Sequence, residues 1–386
     1  MEWNAEGFLE PVVESKLCMA CGACVRSCPA PANKDFKPAL SKEARATMRC
    51  YGAWNTRAEH RLASSSGGIF SALAEKVFAE GGCVFGVRWK DKETAEFAKA
   101  ESRKEWEAMR GSKYVQAVPG SVYSCVKMEL ERGRRVLFAG TPCQVHALNK
   151  YLRKEYPLLL TLDIVCHGVP SRKLLQSYIQ YWETKLGKSI KEINFRSKEE
   201  SWQHYKVRKT CSDGFIIEHA AGQDMFMALF LEDCMLNRAC YKCPYATFPR
   251  QGDLTLGDFW GNLARAHADW PIAEGISALI ASTPRGKAIL EELHAAGDIA
   301  MHSVPVQELL DGQFTSYLRL PNPPHSLRTA ALAMLDTAPL DRVFDAFYSH
   351  VVWGPFCLRR QGIAGRVALL YKRIKKRFLR VLFFGK

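Results

Sequence analysis

Long apolar runs are what this sequence most clearly lacks. None of its 386 residues falls in a stretch approaching the roughly 18 consecutive apolar residues that a membrane-spanning helix requires. Met1-Glu2-Trp3-Asn4-Ala5-Glu6 has neither a basic n-region nor an apolar h-region, which argues against a secretory signal. No internal repeat is present. Disorder lacks its signature too, since 47% of residues are hydrophobic and 24% charged, values typical of globular domains. The chain is therefore expected in the cytoplasm, where thiols stay reduced. Its 14 cysteines are then read as metal ligands where they cluster, not as a disulfide framework.

Acidic residues are missing from the end of the chain, with none after Asp345. Ten cations from Arg359 to Lys386 supply most of the formal net charge of +14. The remainder of the chain is nearly balanced, which excludes the footprint of a nucleic-acid-binding body. In the same tail Ile363, Val367, Leu370, Ile374, Phe378 and Val381 recur at helical spacing opposite Lys372, Arg373, Lys376, Arg377 and Arg380. Such a helix over residues 360–386 suits an anionic membrane surface on the inner face, or docking on its own domain or a partner.

The length allows two or three globular units. Residues 1–50 are short, cysteine-rich and weakly periodic, a small appended module ending in a polar stretch. From Tyr51 apolar runs alternate with amphipathic segments, the pattern of an α/β or α+β fold. Helices are expected over 67–79, 122–132, 144–154, 174–185, 224–236 and 285–295. Strands are expected over 83–87, 135–139, 158–165, 193–195, 205–210, 215–218, 253–256 and 276–281. After Gly312 prolines break the pattern, and helices are expected near 327–335 and 342–350.

Cys18-Met19-Ala20-Cys21-Gly22-Ala23-Cys24-Val25-Arg26-Ser27-Cys28-Pro29 matches the bacterial ferredoxin run C-x2-C-x2-C-x3-C-P. Two-residue gaps let three thiolates wrap one face of a 4Fe-4S cubane. A zinc site is the alternative, although zinc knuckles seldom use three successive thiolates followed by Cys-Pro. In two-cluster ferredoxins the cysteine before proline binds the other cluster, and no second run exists here. The fourth ligand is thus Cys28 or the isolated Cys50, with Cys28 favoured.

Cys143 in Gly-Thr-Pro-Cys-Gln, Cys166 in Val-Cys-His-Gly, and the pair Cys240 and Cys243 sit beside glycine or proline in expected loops. Parallel strands deliver their following loops to one sheet edge, so these four thiolates can converge on a second 4Fe-4S centre. The alternative makes Cys143 and Cys166 small core residues, with Cys234, Cys240 and Cys243 in a zinc ribbon. Cys50, Cys83, Cys125, Cys211 and Cys357 read as structural thiols. His167, next to Cys166, is suited to bond a cluster sulfur or exchange a proton. A radical S-adenosylmethionine enzyme is disfavoured: Cys24 and Cys28 have the first gap of C-x3-C-x2-C, but Pro31 occupies the third place.

Five segments together carry a family resemblance: Ser64 to Phe70, Arg110 to Gln116, Gly140 to Gln144, Asp163 to Ser171, and Asp253 to Gly261. They resemble the coenzyme F420 hydrogenase/dehydrogenase beta subunits and their relatives, among them 7-hydroxymethyl chlorophyll a reductase. The resemblance implies FAD beside a 4Fe-4S cluster, electron transfer between the two, and the dispersed cysteines as ligands. With the patterning above, an α/β (α+β) chain in three parts is expected: a ferredoxin-like module over 1–50, a mixed-sheet FAD and 4Fe-4S body of the family type over 51–320, and a helical extension with the basic amphipathic tail over 321–386. The cofactor-binding residues it implies are Ser64, Ser65, Ser66, Gly67, Gly68, Arg110, Lys113, Tyr114, Gln116 and Thr141, with Lys113 and His167 as catalytic groups. Ser64 to Gly68 leads into a helix whose N-terminus can hold a pyrophosphate, or is a plain cap. Asp258, Phe259 and Trp260 pack against cofactor or core.

The expected function is a flavin- and iron-sulfur-dependent reductase. Its organic substrate would be coenzyme F420 or an intermediate of polysaccharide synthesis, and its electron donor a ferredoxin or a hydrogenase or dehydrogenase subunit. A noncatalytic electron-transfer subunit and a zinc-stabilised binding module are the rivals. The short ferredoxin part leaves one or two clusters open, and the basic tail is additional to the family pattern.

Overall fold

The computed structural model describes residues 1–28, 47–231, 233, 235–261, 266–312 and 328–347. The polar stretch from residue 33 to 46, Cys234, Cys357 and the basic tail lie outside them. The strands in chain order are β1 (Glu2–Trp3), β2 (Leu9–Glu10), β3 (Arg49–Asn55), β4 (Cys83–Trp89), β5 (Ala95–Ala100), β6 (Val136–Gly140) and β7 (Leu159–Ile164). They continue as β8 (Ile190–Ser197), β9 (Lys206–Cys211), β10 (Ile216–Ala220), β11 (Leu254–Asp258), β12 (Ser277–Ala281) and β13 (Ile299–Ser303).

Eight strands form one mixed sheet in the order β13-β3-β12-β11-β7-β6-β4-β5. Its centre, β4, β6, β7 and β11, is parallel, and the strands outside it pair antiparallel. The parallel strands are short apolar runs because helices cover both faces. In β6, Leu137 points to the core under helices Ile69–Ala79 and Pro284–Ala295. Val136 and Phe138 point the other way, under helices Val122–Glu131 and Pro142–Leu152. The alternation is the period-2 geometry of a strand feeding two separate cores.

β8, β9 and β10 make a second, antiparallel sheet. With helices Arg172–Leu186 and Met225–Leu231 it encloses an aromatic core that includes Tyr178, Trp182, Phe195, Phe226 and Phe230. Helices Arg328–Met334 and Leu340–Phe347 contribute Leu332, Leu340, Val343 and Phe347 to this same core. Among the described residues no helix is long and apolar enough to cross a membrane.

Three strands of the large sheet are not anticipated from the sequence. β5 is Ala-Glu-Phe-Ala-Lys-Ala, made largely of helix formers, and tertiary pairing, antiparallel with β4 and through a bridge to Val118, makes it a strand. β3 and β13 lack clean alternation of apolar and polar residues, and pair with each other at the opposite side of the sheet.

Candidate functional site

The loops after β6 and β7 emerge at one edge because the strands are parallel neighbours. After β6 a capping box fixes the turn: Gln144 Oε1 accepts from the Thr141 amide at 2.8 Å, with Pro142 opening the helix. Cys143 is thereby held in the first turn, its Sγ 3.1 Å from Thr141 Oγ1. After β7 come Cys166, His167 and Gly168. Gly168 has φ +151°, and a Cβ there would meet Leu236 Cδ1 at 2.8 Å, so only glycine lets the chains approach.

That approach zips the two loops together. Ser171 N donates to Met235 O at 2.9 Å and Asn237 N to Val169 O at 2.8 Å. The 3-10 turn Arg238–Lys242, capped by Asn237, carries Cys240 and delivers Cys243. Buried Asp163 at the end of β7 anchors the following segment, accepting from the amides of Gln251 and Gly252 at 3.0 Å each and facing Arg250. Arg250 in turn donates to Tyr245 O at 3.0 Å and Ile164 O at 3.3 Å.

The four thiols answer to one another. Burial pushes Cys143 up to about 11, with Cys243 adding to the rise. Cys240 is pushed up to about 12 by burial, then by Cys143 and Cys243. Burial raises Cys166 most, followed by Cys240, Cys143 and Cys243, although the residue keeps accessible surface. Cys243 is raised by burial as well. Backbone groups of Gln144, Gly168, Val169, and Tyr245 with Ala246 oppose that rise by favouring the thiolate. Such groups stabilise thiolate and tune an iron-sulfur cluster. Among the described residues no three His, Cys, Asp or Glu side chains close in as a single-ion site. A cubane holds its thiolates on four separate irons, so it needs a wider set than one ion does. Four cysteine sulfurs are the donor type such a cluster takes.

Cys18, Cys21, Cys24 and Cys28 are all exposed. Gly22, in the left-handed region at φ +67°, starts the helix Ala23–Ser27, which packs on helix Pro142–Leu152. Burial first, then Cys143, Cys243 and Cys28, raises the pKa of the Tyr245 phenol. Its centroid is 5.0 Å from that of His146. Cys50 is instead built into β3, buried among Trp202, Phe248 and Ile280.

His167 Nε2 lies 2.6 Å from Asp233 Oδ1, and its ring meets Phe230 edge-on at 5.0 Å. Phe230 contacts Tyr114 at 5.1 Å, and Tyr114 contacts Phe195. An aromatic path thus leads from the Cys166 loop to Tyr114.

The serine loop is occupied with the protein itself. Ser64 Oγ donates to His60 O at 2.8 Å and Ser66 Oγ to Ile276 O at 2.7 Å, while Ser65 Oγ pairs with Ser112 Oγ at 2.9 Å. A Cβ on Gly67 would lie 2.4 Å from Ala53 O, and one on Gly68 3.1 Å from Arg61 Cα, so both glycines face backbone. Arg110 Nη1 is 3.3 Å from His60 Nδ1. Lys113 Nζ donates to the carbonyls of Ala108, Met109, Arg110 and Gly111 at 2.7–3.3 Å. Burial pushes its pKa down to about 7, against four carbonyls that favour the charged ammonium. Gln116 grips the N-terminal hairpin through both its amide atoms, at 2.8 and 3.0 Å from the backbone of Leu9.

Three residues near this loop escaped the sequence reading. Arg196 on β8 forms a two-pronged bond to Asp258 at 2.7 and 3.0 Å, reaches Ser65 O at 3.2 Å, and lies 4.0 Å from the Tyr205 ring centroid. Lys198, whose pKa burial lowers to about 7, donates to the carbonyls of Arg61, Ser66 and Glu274. Trp202 donates to Asp258 at 3.2 Å and stacks on Trp260 at 4.5 Å. Asp258 in the Asp253–Gly261 motif was visible, but its partners come from 56 and 62 residues away.

Two models of the coenzyme F420 hydrogenase/dehydrogenase beta subunit match the chain, the N-terminal one over residues 50–123 and the C-terminal one over residues 133–307. Together they cover well over half of the chain and contain all four dispersed cysteines, while the N-terminal cysteine run lies outside both. No curated protein matches significantly. Among solved structures, a chain of the F420-reducing [NiFe] hydrogenase complex from Methanosarcina barkeri is similar at 18% identity, covering 77% of this chain and 90% of that one, with a TM-score of 0.48. By the two family matches, this chain belongs to the coenzyme F420 hydrogenase/dehydrogenase beta-subunit family, a family of redox subunits.

Proposed function

We propose that the chain is an iron-sulfur flavoprotein oxidoreductase that reduces a small organic substrate, of the coenzyme F420 class or an intermediate of polysaccharide synthesis. The observation that carries this reading is the set Cys143, Cys166, Cys240 and Cys243: four thiols from three loops, none in the hydrophobic core, of which Cys143, Cys166 and Cys240 are raised by neighbouring thiols as well as by burial. They would hold one 4Fe-4S cluster, and Cys18, Cys21, Cys24 and Cys28 a second. When bound, the clusters supply one-electron steps and FAD converts these to two-electron chemistry.

The chain's own residues have definable tasks. Thr141 and the backbone amides orient the sulfurs. His167, held by Asp233, is placed to store or release a proton beside Cys166. FAD is assigned to the region of Ser65, Ser66, Arg110, Lys113 and Tyr114. There the serine hydroxyls already serve protein carbonyls, so Arg110 and backbone groups would carry the phosphate contacts. Gln116 supports the region through the hairpin. The family's naming as subunits favours a second reading, an electron-transfer subunit that acts on no substrate of its own.

Anaerobic purification with quantification of iron, sulfide, zinc and flavin tests the first proposal. The expected outcome is about eight irons and one FAD per chain. A colourless protein carrying zinc would overturn it. Reduction of a partner protein without reduction of any small molecule would select the second reading.

A further inference from the structure

Helix Ala23–Ser27 and the end of helix Pro142–Leu152 enclose an open cavity of about 460 Å³ lined by Arg26, Lys150 and Arg153. Lys150 and Arg153 also line an adjoining cleft of about 650 Å³, with Lys154 at its rim. All four cations are exposed, and none has an acidic partner among the described residues. Lys154 lies only on the ring of Tyr156, at 4.7 Å. The acids of the cleft are Glu155, which is exposed, and Asp253, which Thr283 and Arg285 already engage. In and just before the cysteine run, Leu17, Met19 and Val25 stand exposed, at 81%, 86% and 75%.

Among the described residues most other Lys and Arg side chains have an acidic partner, such as Arg134 with Glu101 and Glu129, Arg196 with Asp258 and Arg328 with Glu6, which sets these four apart. Unpaired like charges repel one another, so such a cluster lowers stability unless an opposite charge arrives. Apolar side chains with a charged rim form the anatomy of a protein contact, and complementary charge raises the rate of encounter. We propose that Arg26, Lys150, Arg153 and Lys154 dock the acidic face of a small one-electron carrier protein, seating it beside the N-terminal cysteine run. This rests on the redox reading above for its purpose, not for its binding.

The full-length protein is titrated with a ferredoxin of net negative charge at low and high salt, and binding is followed by calorimetry. Binding that weakens steeply with salt is expected, with at least a tenfold loss of affinity in R26E/K150E/R153E. A control, K127E/K191E/R88E, carries the same change of net charge elsewhere and should bind as the unaltered protein does. Iron content and bleaching by dithionite, measured on each variant, should not move. Equal affinity in the cleft variant and the control overturns the proposal, as does inorganic pyrophosphate binding in the cleft while ferredoxin does not bind. Ferredoxin bound by a chain devoid of iron would leave the docking surface standing and remove the redox reading.

Discussion

The two cysteine sets of this chain are built in opposite ways. Cys18 to Cys28 lie within 11 residues, exposed, around one five-residue helix. Cys143 to Cys243 span 101 residues and meet only because β6 and β7 are parallel neighbours and Gly168 admits Leu236. A local motif presents its thiols whatever the surrounding fold does. The dispersed set depends on a supporting shell: Asp163 with Arg250, the capping box at Thr141, and the clasp of Arg328.

That clasp joins distant parts of the chain. Arg328, buried, donates to both carboxylate oxygens of Glu6 at 2.8 Å and to Leu236 O at 2.9 Å. Glu6 O accepts from Ser171 Oγ at 2.6 Å, and Arg238 also reaches Glu6, at 2.9 Å. The N-terminal hairpin therefore holds the Cys166 and Cys240 loops against each other.

The contrast can be broken most decisively at the thiols. Cys166→Ala should remove about half the iron, as should Cys21→Ala, each leaving the other site's paramagnetic signal intact. Loss of all iron in either variant would show that the sites assemble together, and no loss would reject the assignment. A smaller effect is expected in the shell. Asp163→Ala leaves Arg250 buried and unpaired and should cost about 3–5 kcal/mol in denaturant unfolding. The same change at exposed Glu155 should be nearly neutral. If the two cost the same, Asp163 is not the anchor described here.

The smallest effect concerns pH. Arg328, aided by Arg238 and opposed by burial, lowers the pKa of Glu6 to about 2 from an ordinary 4.5. A depressed carboxylate pKa stabilises the fold fully above the unfolded value, and that contribution fades as pH falls from about 4.5 towards 2. Glu6→Gln should flatten stability across this window while leaving the slope at neutral pH unchanged. An unaltered acid limb in thermal unfolding would remove the clasp from the account.

Much of this was legible beforehand. Helices 122–131, 142–152, 172–186 and 284–295 fall within two residues of their expected starts, because amphipathic spacing and caps such as Thr283 are local signals. The helices at 328–334 and 340–347 were also anticipated, though not their place in the same core as Trp182. The roles of Gln116, Gly67 and Gly68 were not readable. Their partners, Leu9, Ala53 and Arg61, are found by folding and not by spacing. Arg196 and Lys198 carried no motif, since an arginine in a strand or a lysine just after one looks the same whether it faces solvent, a half-buried aspartate or backbone carbonyls.

By itself the sequence determined the ferredoxin-like run, the alternation that builds an α/β chain, and the family resemblance, because each depends on residues near one another along the backbone. Only the tertiary structure decided which strands lie side by side, which backbone groups favour which thiolate, and which cations are left without partners. Those are properties of distance in space, and a chain whose contacts join residues 6 and 328 cannot display them in one dimension.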